Sequence, residues 1–359
     1  MRGLSRAGFL LLWLGFVFLL LEGAGYVYFE TLGVQPIGGF GYPHGLYIAD
    51  SQLDYRLAPG FVGQFHGAAY GTIPIRINSD GFRDDEFRRD RPGERIVVLG
   101  DSVVFGSGVR EEDRFTEQLA STGFGPGRAV AVWNLGVNSY SFDHYLGIAR
   151  QEFFGLEPDV VVVGFTLNDI EERDESWPAR RFGTLGGGDA SSLAGWLRYA
   201  ERLWDRSLAG CFVREVKAKV RLALMDDSAR EAYHTRWMRG VEELWATDAA
   251  RSRLARAIDE FDALLRSQNR AYRVFVFPEL NALMQPGEFA VARTTLHRML
   301  DERGIAWCDA HDAFARHPGG VAGLFLPDDS VHFTPLGHRI AAAALRDCLA
   351  SAAAPASRP

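Results

Sequence analysis

Cysteine is scarce, with three in 359 residues. Cys211, Cys308 and Cys348 are too few and too scattered for a disulfide framework, and each reads as a small packed hydrophobe. No Cys/His pair has zinc-site spacing and no HExxH run occurs, which argues against the common zinc chemistries. Positive charge is also short. A net charge of −7 argues against a general nucleic-acid binder, which needs a basic surface to meet phosphates. No repeat of fixed period is visible, against solenoids and propellers. Apolar residues are plentiful at 47%, beside 24% charged, so a packed core is within reach. The length exceeds one typical domain and falls short of three. The tail 351–359 has little to bury and is expected to fray.

Arg2 and Arg6 precede an uncharged run from Ala7 to Leu21. Glu22 interrupts it, and apolar character resumes through Phe29. The run to Leu21 alone fits a signal-peptide core. Residues 7–29 together are long enough to cross roughly 30 Å of hydrocarbon. Tyr26 and Tyr28 then fall at the far interface, where amphipathic rings are favoured. Only Gly23 and Gly25 offer small residues two apart for cleavage, so residues 1–29 read as an uncleaved signal-anchor rather than a cleaved signal. The positive-inside rule keeps the N-terminus cytoplasmic and exports the rest, to the periplasmic or extracellular side of an inner membrane.

Residues 30–94, rich in Gly, Pro, Tyr and Phe, read as a β-rich extension with a turn at Asn78-Ser79-Asp80-Gly81. The texture changes at Arg95. Apolar runs at Ile96–Leu99, Ala129–Leu135, Asp159–Phe165, Ala271–Phe277 and Ile305–His311 read as buried parallel strands. Helix-like segments separate them; Arg251–Gln268 carries Leu254, Ile258, Phe261 and Leu265 on one face. This alternation implies an α/β, doubly wound parallel sheet over residues 95–350. Residues 171–250 lack a strand-like run and read as a helical insertion, with Trp196, Ala200, Leu203, Trp204 and Leu208 at helical spacing. It either caps the site or rests on another surface. Stretch 196–221 holds seven Lys/Arg against three Asp/Glu and has a membrane-facing composition.

In such sheets, ligands bind beyond the carboxyl ends of the strands. Four short blocks stand there. Gly100-Asp101-Ser102 follows the first run, where a tight turn would expose the Ser102 hydroxyl and its own N–H. Gly136 follows the second, where a missing side chain lets a substrate approach an N–H. Asn168-Asp169 follows the third, and the Asn168 amide can donate to a developing oxyanion. Asp329-Ser330-Val331-His332 stands near the C-terminus, where an Asp behind a His fixes its tautomer. Each block alone is common: a helix-capping serine, a turn glycine, an Asn–Asp turn, a surface ion pair. Their order, each just past a strand, is not. Asp101 reads as a turn stabiliser, Asp328 as a poorer-spaced orienting acid, His338 as a helix-face residue, and Asp169–Glu175 as a solvated acidic loop.

The four blocks resemble those of the SGNH/GDSL hydrolase superfamily. The resemblance implies a three-layer α/β/α sandwich with a flavodoxin-like, five-stranded parallel sheet. It implies Ser102 as nucleophile with Asp329 and His332 completing the triad, an oxyanion hole from Ser102, Gly136 and Asn168, and no metal or organic cofactor. One departure is that Thr166 stands where the family's third block carries glycine, which puts the oxyanion geometry in question. Residues 1–94 are similar to membrane-anchored bacterial members, in which a turn like Asn78 to Arg83 precedes the catalytic strand. The implied activity is a serine esterase cleaving or transferring O-acyl groups, with an envelope or secreted glycan as substrate. Two alternatives stand beside it: a lysophospholipase or thioesterase acting on lipid acyl esters, and a non-catalytic scaffold in polysaccharide assembly.

Overall fold

A computed structural model of the protein describes residues 5–32, 43, 45–67, 70–90, 93–123, 130–172, 200, 203–204, 207–224 and 238–353. Helix α1 (Arg6–Leu32) opens the chain. It is long and apolar enough to cross a membrane, and Phe9 to Leu20 leave most of their large side chains exposed. Two antiparallel hairpins follow: β1 (Tyr47–Asp50) with β2 (Asp54–Leu57), and β3 (Val62–Gly67) with β4 (Gly71–Arg76).

The apolar runs then form the central sheet: β5 (Glu94–Gly100), β6 (Val130–Gly136), β7 (Val160–Phe165), β8 (Ala271–Val276) and, after a short β9 (Pro286–Phe289) outside it, β10 (Trp307–Asp309). The order is β10-β8-β7-β5-β6 and every pairing is parallel. Both faces are covered, which is why β6 is buried at every position and needs no polar alternation. The helices include α2 (Ser102–Phe105), α3 (Phe115–Thr122), α4 (Phe142–Arg150), α5 (Leu208–Leu224), α6 (Asp248–Ser267), α7 (Ala290–Asp301) and α8 (Pro335–Ala353). Helix α3 pairs with α8, and α4 with α6, flanking the sheet. The apolar face expected on α6 is the buried one: Leu254, Ile258, Phe261 and Leu265.

Two expectations change. Cys308 on β10 and Cys348 on α8 are bonded as a disulfide, with Cα atoms 6.1 Å apart, rather than packed as separate hydrophobes. Their separation of 40 residues hides the pairing from local spacing; only the helix returning beside the edge strand brings them together. Cys211 is buried, as expected, and stands outside the disulfide. The insertion is divided. Helix α5 lies along α1, whereas residues 238–246 are helical and join the main core through Met238, Val241 and Trp245. Trp196 and the end of the tail, 354–359, lie outside the described residues.

Candidate active site

The carboxyl ends of β6, β5 and β7 are in register at three glycines, Gly136, Gly100 and Gly164. A Cβ built on any of them would collide with Val104 or Phe105 of α2. The missing side chains therefore let α2 sit directly on the sheet, and the chain can turn from strand to helix within Asp101. Ser102 begins α2 half-buried, between buried Asp101 and Val103. Asp101 caps the helix: its Oδ1 accepts the Val103 N–H at 2.9 Å.

His332 and Asp329 arrive from a loop held in place at both ends. The Leu326 N–H donates to the His332 carbonyl (2.9 Å), the Thr334 N–H donates to the Leu324 carbonyl (2.9 Å), and Phe333 is buried against Phe277, Phe314 and Phe325. His332 Nε2 lies 2.8 Å from Ser102 Oγ, and its Nδ1 lies 2.6 Å from Asp329 Oδ2. A carboxylate only accepts, so Nδ1 carries the proton and Nε2 is left to accept from the serine. Asp329 Oδ1 accepts the backbone N–H groups of Val331 (2.8 Å) and His332 (2.9 Å). Burial works to raise the Asp329 carboxyl, but the His332 charge and these hydrogen bonds bring it down to about 2. For His332, burial opposes the charged form. The Asp329 charge and hydrogen bond, with Asp101 behind them, outweigh that and lift the imidazole above its ordinary value. Asp328 is exposed at φ 59° and His338 is buried, its ring accepting the Phe115 N–H. Burial and nearby Arg83 and Arg114 lower His338 to about 3, which keeps it neutral.

Asn168 stands half-buried just past β7. One amide hydrogen points to Asp101 Oδ2 at 3.4 Å, leaving the second for another acceptor. Thr166 takes an ordinary extended conformation (φ −107°, ψ 152°), so no glycine is needed there. Its hydroxyl lies 2.9 Å from Asp101 Oδ2 and 3.2 Å from Asp169 Oδ1. One hydroxyl hydrogen cannot serve two carboxylates. Burial, then the Asp101 charge, pushes Asp169 well above the usual carboxylate range, and the Thr166 hydroxyl lies between the two carboxyl groups. The departure from glycine thus fastens the third block to the first.

Gly136 is a correction. Its N–H donates to the Asn134 side-chain oxygen at 2.9 Å, and it is buried beneath α2. It admits a helix rather than a substrate, and its N–H is already occupied. The loop beyond it turns at Ser139, held at φ 61°.

Arg83 went unread as a site residue. It is 1% exposed, and its guanidinium donates to the carbonyls of Phe105 (3.2 Å), Gly106 (2.7 Å) and Val109 (2.8 Å). It therefore holds the far end of α2. The signal was the Asn78 turn, whose Asn78 Oδ1 accepts the Asp80 and Phe82 N–H groups. Tyr70 is the other omission: burial, then the nearby Asp329 charge, raises its phenol. Among the described residues, no cluster of His, Cys, Asp and Glu has a metal-holding arrangement.

A model of the GDSL-like Lipase/Acylhydrolase family matches residues 98–340. No curated protein matches the chain. Solved structures similar to it include a member of the lipolytic protein G-D-S-L family from Veillonella parvula, at 12% identity and TM-score 0.40, covering 71% of this chain and 97% of that one. Another is an acetylxylan esterase from Geobacillus stearothermophilus, at 14% identity and TM-score 0.39, covering 72% of this chain and 94% of that one.

Proposed function

Because this chain belongs to the GDSL-like lipase/acylhydrolase family, we propose that Ser102, His332 and Asp329 carry out its ester hydrolysis through an acyl-enzyme. His332 Nε2 takes the hydroxyl proton as Ser102 Oγ bonds to the ester carbonyl carbon, and the carbonyl electron pair moves to oxygen. The oxyanion is held by the Ser102 N–H and the Asn168 amide. Collapse breaks the bond to the leaving alkoxide, which takes the proton from His332. Water, or a sugar hydroxyl in a transfer reaction, then repeats the sequence and frees Ser102. The observation that carries this reading is the 2.8 Å approach of His332 Nε2 to Ser102 Oγ. It weighs against a non-catalytic scaffold. A fluorophosphonate probe should label the parent protein and not Ser102→Ala, which should fold normally because it removes one hydroxyl at a half-exposed turn. Equal turnover of para-nitrophenyl acetate by both would refute the assignment.

The substrate we propose is an O-acyl group on an envelope or secreted polysaccharide, reached by an exported catalytic domain on a membrane anchor, α1. The apolar, exposed α1 supports the anchor. The Cys308–Cys348 disulfide supports an oxidising compartment. A second reading, lipid acyl esters, is favoured by the basic α5 beside α1. Release of acetate from acetylated oligosaccharides without cleavage of lysophospholipid would select the first; the reverse would select the second.

A further inference from the structure

Asn168 donates from a side chain, so its aim depends on the backbone that carries it. That backbone is a short helical turn just past β7, Leu167–Ile170. Several of its polar groups are satisfied locally. The Thr166 N–H meets Asp169 Oδ2 (3.0 Å), the Asp169 N–H meets the Thr166 carbonyl (3.0 Å), and the Glu171 N–H meets the Asn168 carbonyl (2.9 Å). Leu167 differs, because both of its backbone groups reach outside the turn. Its N–H donates to Glu279 Oε1 at 3.2 Å, and its carbonyl accepts the Trp245 indole N–H at 2.7 Å. Leu167, Trp245 and Glu279 are all buried. An unpaired buried N–H or carbonyl is expensive, so these two partners fix the direction in which the chain enters Asn168.

Neither partner belongs to the four blocks. Glu279 lies just past β8, and Trp245 lies in the last helical stretch of the insertion, 238–246. Glu279 is itself anchored. Its Oε2 accepts from Arg293 of α7 at 2.8 Å, and Arg293 also donates to Asp309 Oδ2 of β10 at 2.6 Å. The next backbone N–H, of Leu280, donates to the Ser330 carbonyl at 2.8 Å. A buried ion pair is weak evidence for stability, since well-packed apolar side chains do as well or better. What the Glu279 carboxylate does that an apolar side chain could not is accept the Leu167 N–H from a fixed place.

We propose that Glu279 and Trp245 are positioning residues for the oxyanion hole, clamping the backbone of Leu167 and so aiming the Asn168 amide at the substrate oxygen. The end of the insertion thereby takes part in the reaction without touching the substrate. This inference rests on the reading of Asn168 as an oxyanion donor. Steady-state kinetics on para-nitrophenyl acetate test it, with Glu279→Gln and Trp245→Phe each made in the parent and in Asn168→Ala. A glutamine has one accepting oxygen, which must serve either Arg293 or Leu167; a phenylalanine keeps most of the ring and has no N–H. Loss of a charge-assisted bond should lower kcat by about 10- to 100-fold in Glu279→Gln, and loss of a neutral one by about 3- to 10-fold in Trp245→Phe, with KM within about twofold of the parent. In the Asn168→Ala background the amide they aim is gone, so each change should cost less than about twofold. Equal losses in the two backgrounds would assign the pair a general packing role and overturn the clamp. An unchanged kcat, or a rise in KM alone, would overturn it as well. Should Glu279→Gln not fold, Trp245→Phe decides by the same comparison. Asn168→Ala at parent activity would instead overturn the oxyanion reading, and the clamp with it.

Discussion

Replacing Asp329 by Asn tests the proposed triad at the point where the structure dictates the outcome. In the parent, Asp329 Oδ1 accepts two backbone N–H groups and Oδ2 accepts the His332 ring proton. An asparagine has one accepting oxygen and one donating amide. If its oxygen stays with the Val331 and His332 N–H groups, its NH₂ faces His332 Nδ1 and donates to it. The ring proton must then sit on Nε2, where it blocks acceptance from Ser102. Turning the amide over restores the ring but abandons two part-buried N–H donors, at about 1–2 kcal/mol each. The productive arrangement is thus disfavoured by about 2–4 kcal/mol, or about 30- to 10³-fold, since ~1.4 kcal/mol is tenfold. Losing the negative charge that supports the imidazolium adds to this, so kcat should fall by about 10³–10⁴-fold. Asp328→Asn is the control: it is exposed at φ 59°, where Asn is at ease, and should leave the rate unchanged. Initial rates on para-nitrophenyl acetate, with single-turnover acylation, give the answer. Asp329→Asn within about tenfold of the parent in kcat/KM would refute the reasoning. Inactivity of Asp328→Asn would move the orienting role to its neighbour.

Asn168→Ala should lower kcat by about 10²–10³-fold with little change in KM, as for removal of one oxyanion donor; a rise in KM alone would make Asn168 a binding residue. Thr166→Val keeps the side chain's shape and removes the donor to buried Asp101. It should reduce stability by about 1–3 kcal/mol in urea unfolding, and a change under about 0.5 kcal/mol would show that the bridge is idle. The rate should rise with pH through one ionisation lying above 6.5, because His332 must be neutral and its folded affinity for a proton is raised. The linked stability has opposite signs for the two partners. The His332 contribution is complete below pH ~6.5 and is lost as pH rises through the folded value. The Asp329 contribution, about 2 kcal/mol for a change from 3.8 to about 2, is complete above pH ~4 and is lost as pH falls towards 2. Unfolding free energies between pH 2 and pH 9 in the parent and the Asp329→Asn variant would separate them; identical profiles would refute the linkage.

The sheet and the Ser102, His332 and Asp329 cluster were legible because their signals are local. Runs such as Ile96–Leu99 and Val160–Val163 are short and rich in β-branched residues, which favours buried strands over helix, and each block announces itself within a few residues. What escaped depends on partners distant in sequence or on where a hydrogen points. The Gly136 N–H is occupied by Asn134, two residues earlier, through a side chain that also contacts Val104 and Thr116. Nothing in the order of residues reports that. Thr166 read as a flaw because its backbone was judged without the carboxylates its hydroxyl meets. Cys308 and Cys348 needed the path of α8 before they could be paired.

The hairpins ahead of Arg95 have a role that a linker would not. Leu46, Leu57, Phe65, Ile75 and Phe82 belong to the same hydrophobic core as the central strands. Tyr47 and Tyr55 donate to Asn138 beside the second block, and Arg83 collects three carbonyls at the far end of α2, the helix that Ser102 begins. A chain begun at Arg95 would keep every residue of the proposed chemistry and lose the brace behind it. Buried carbonyls would meet water or nothing, and α2 would no longer be clamped against the glycine row. The smallest unit that keeps the Ser102 cluster braced therefore begins upstream of β5. Damage to the Asn78–Arg83 turn would be read in an assay as a defect of Ser102, because Arg83 holds the far end of the helix that Ser102 begins.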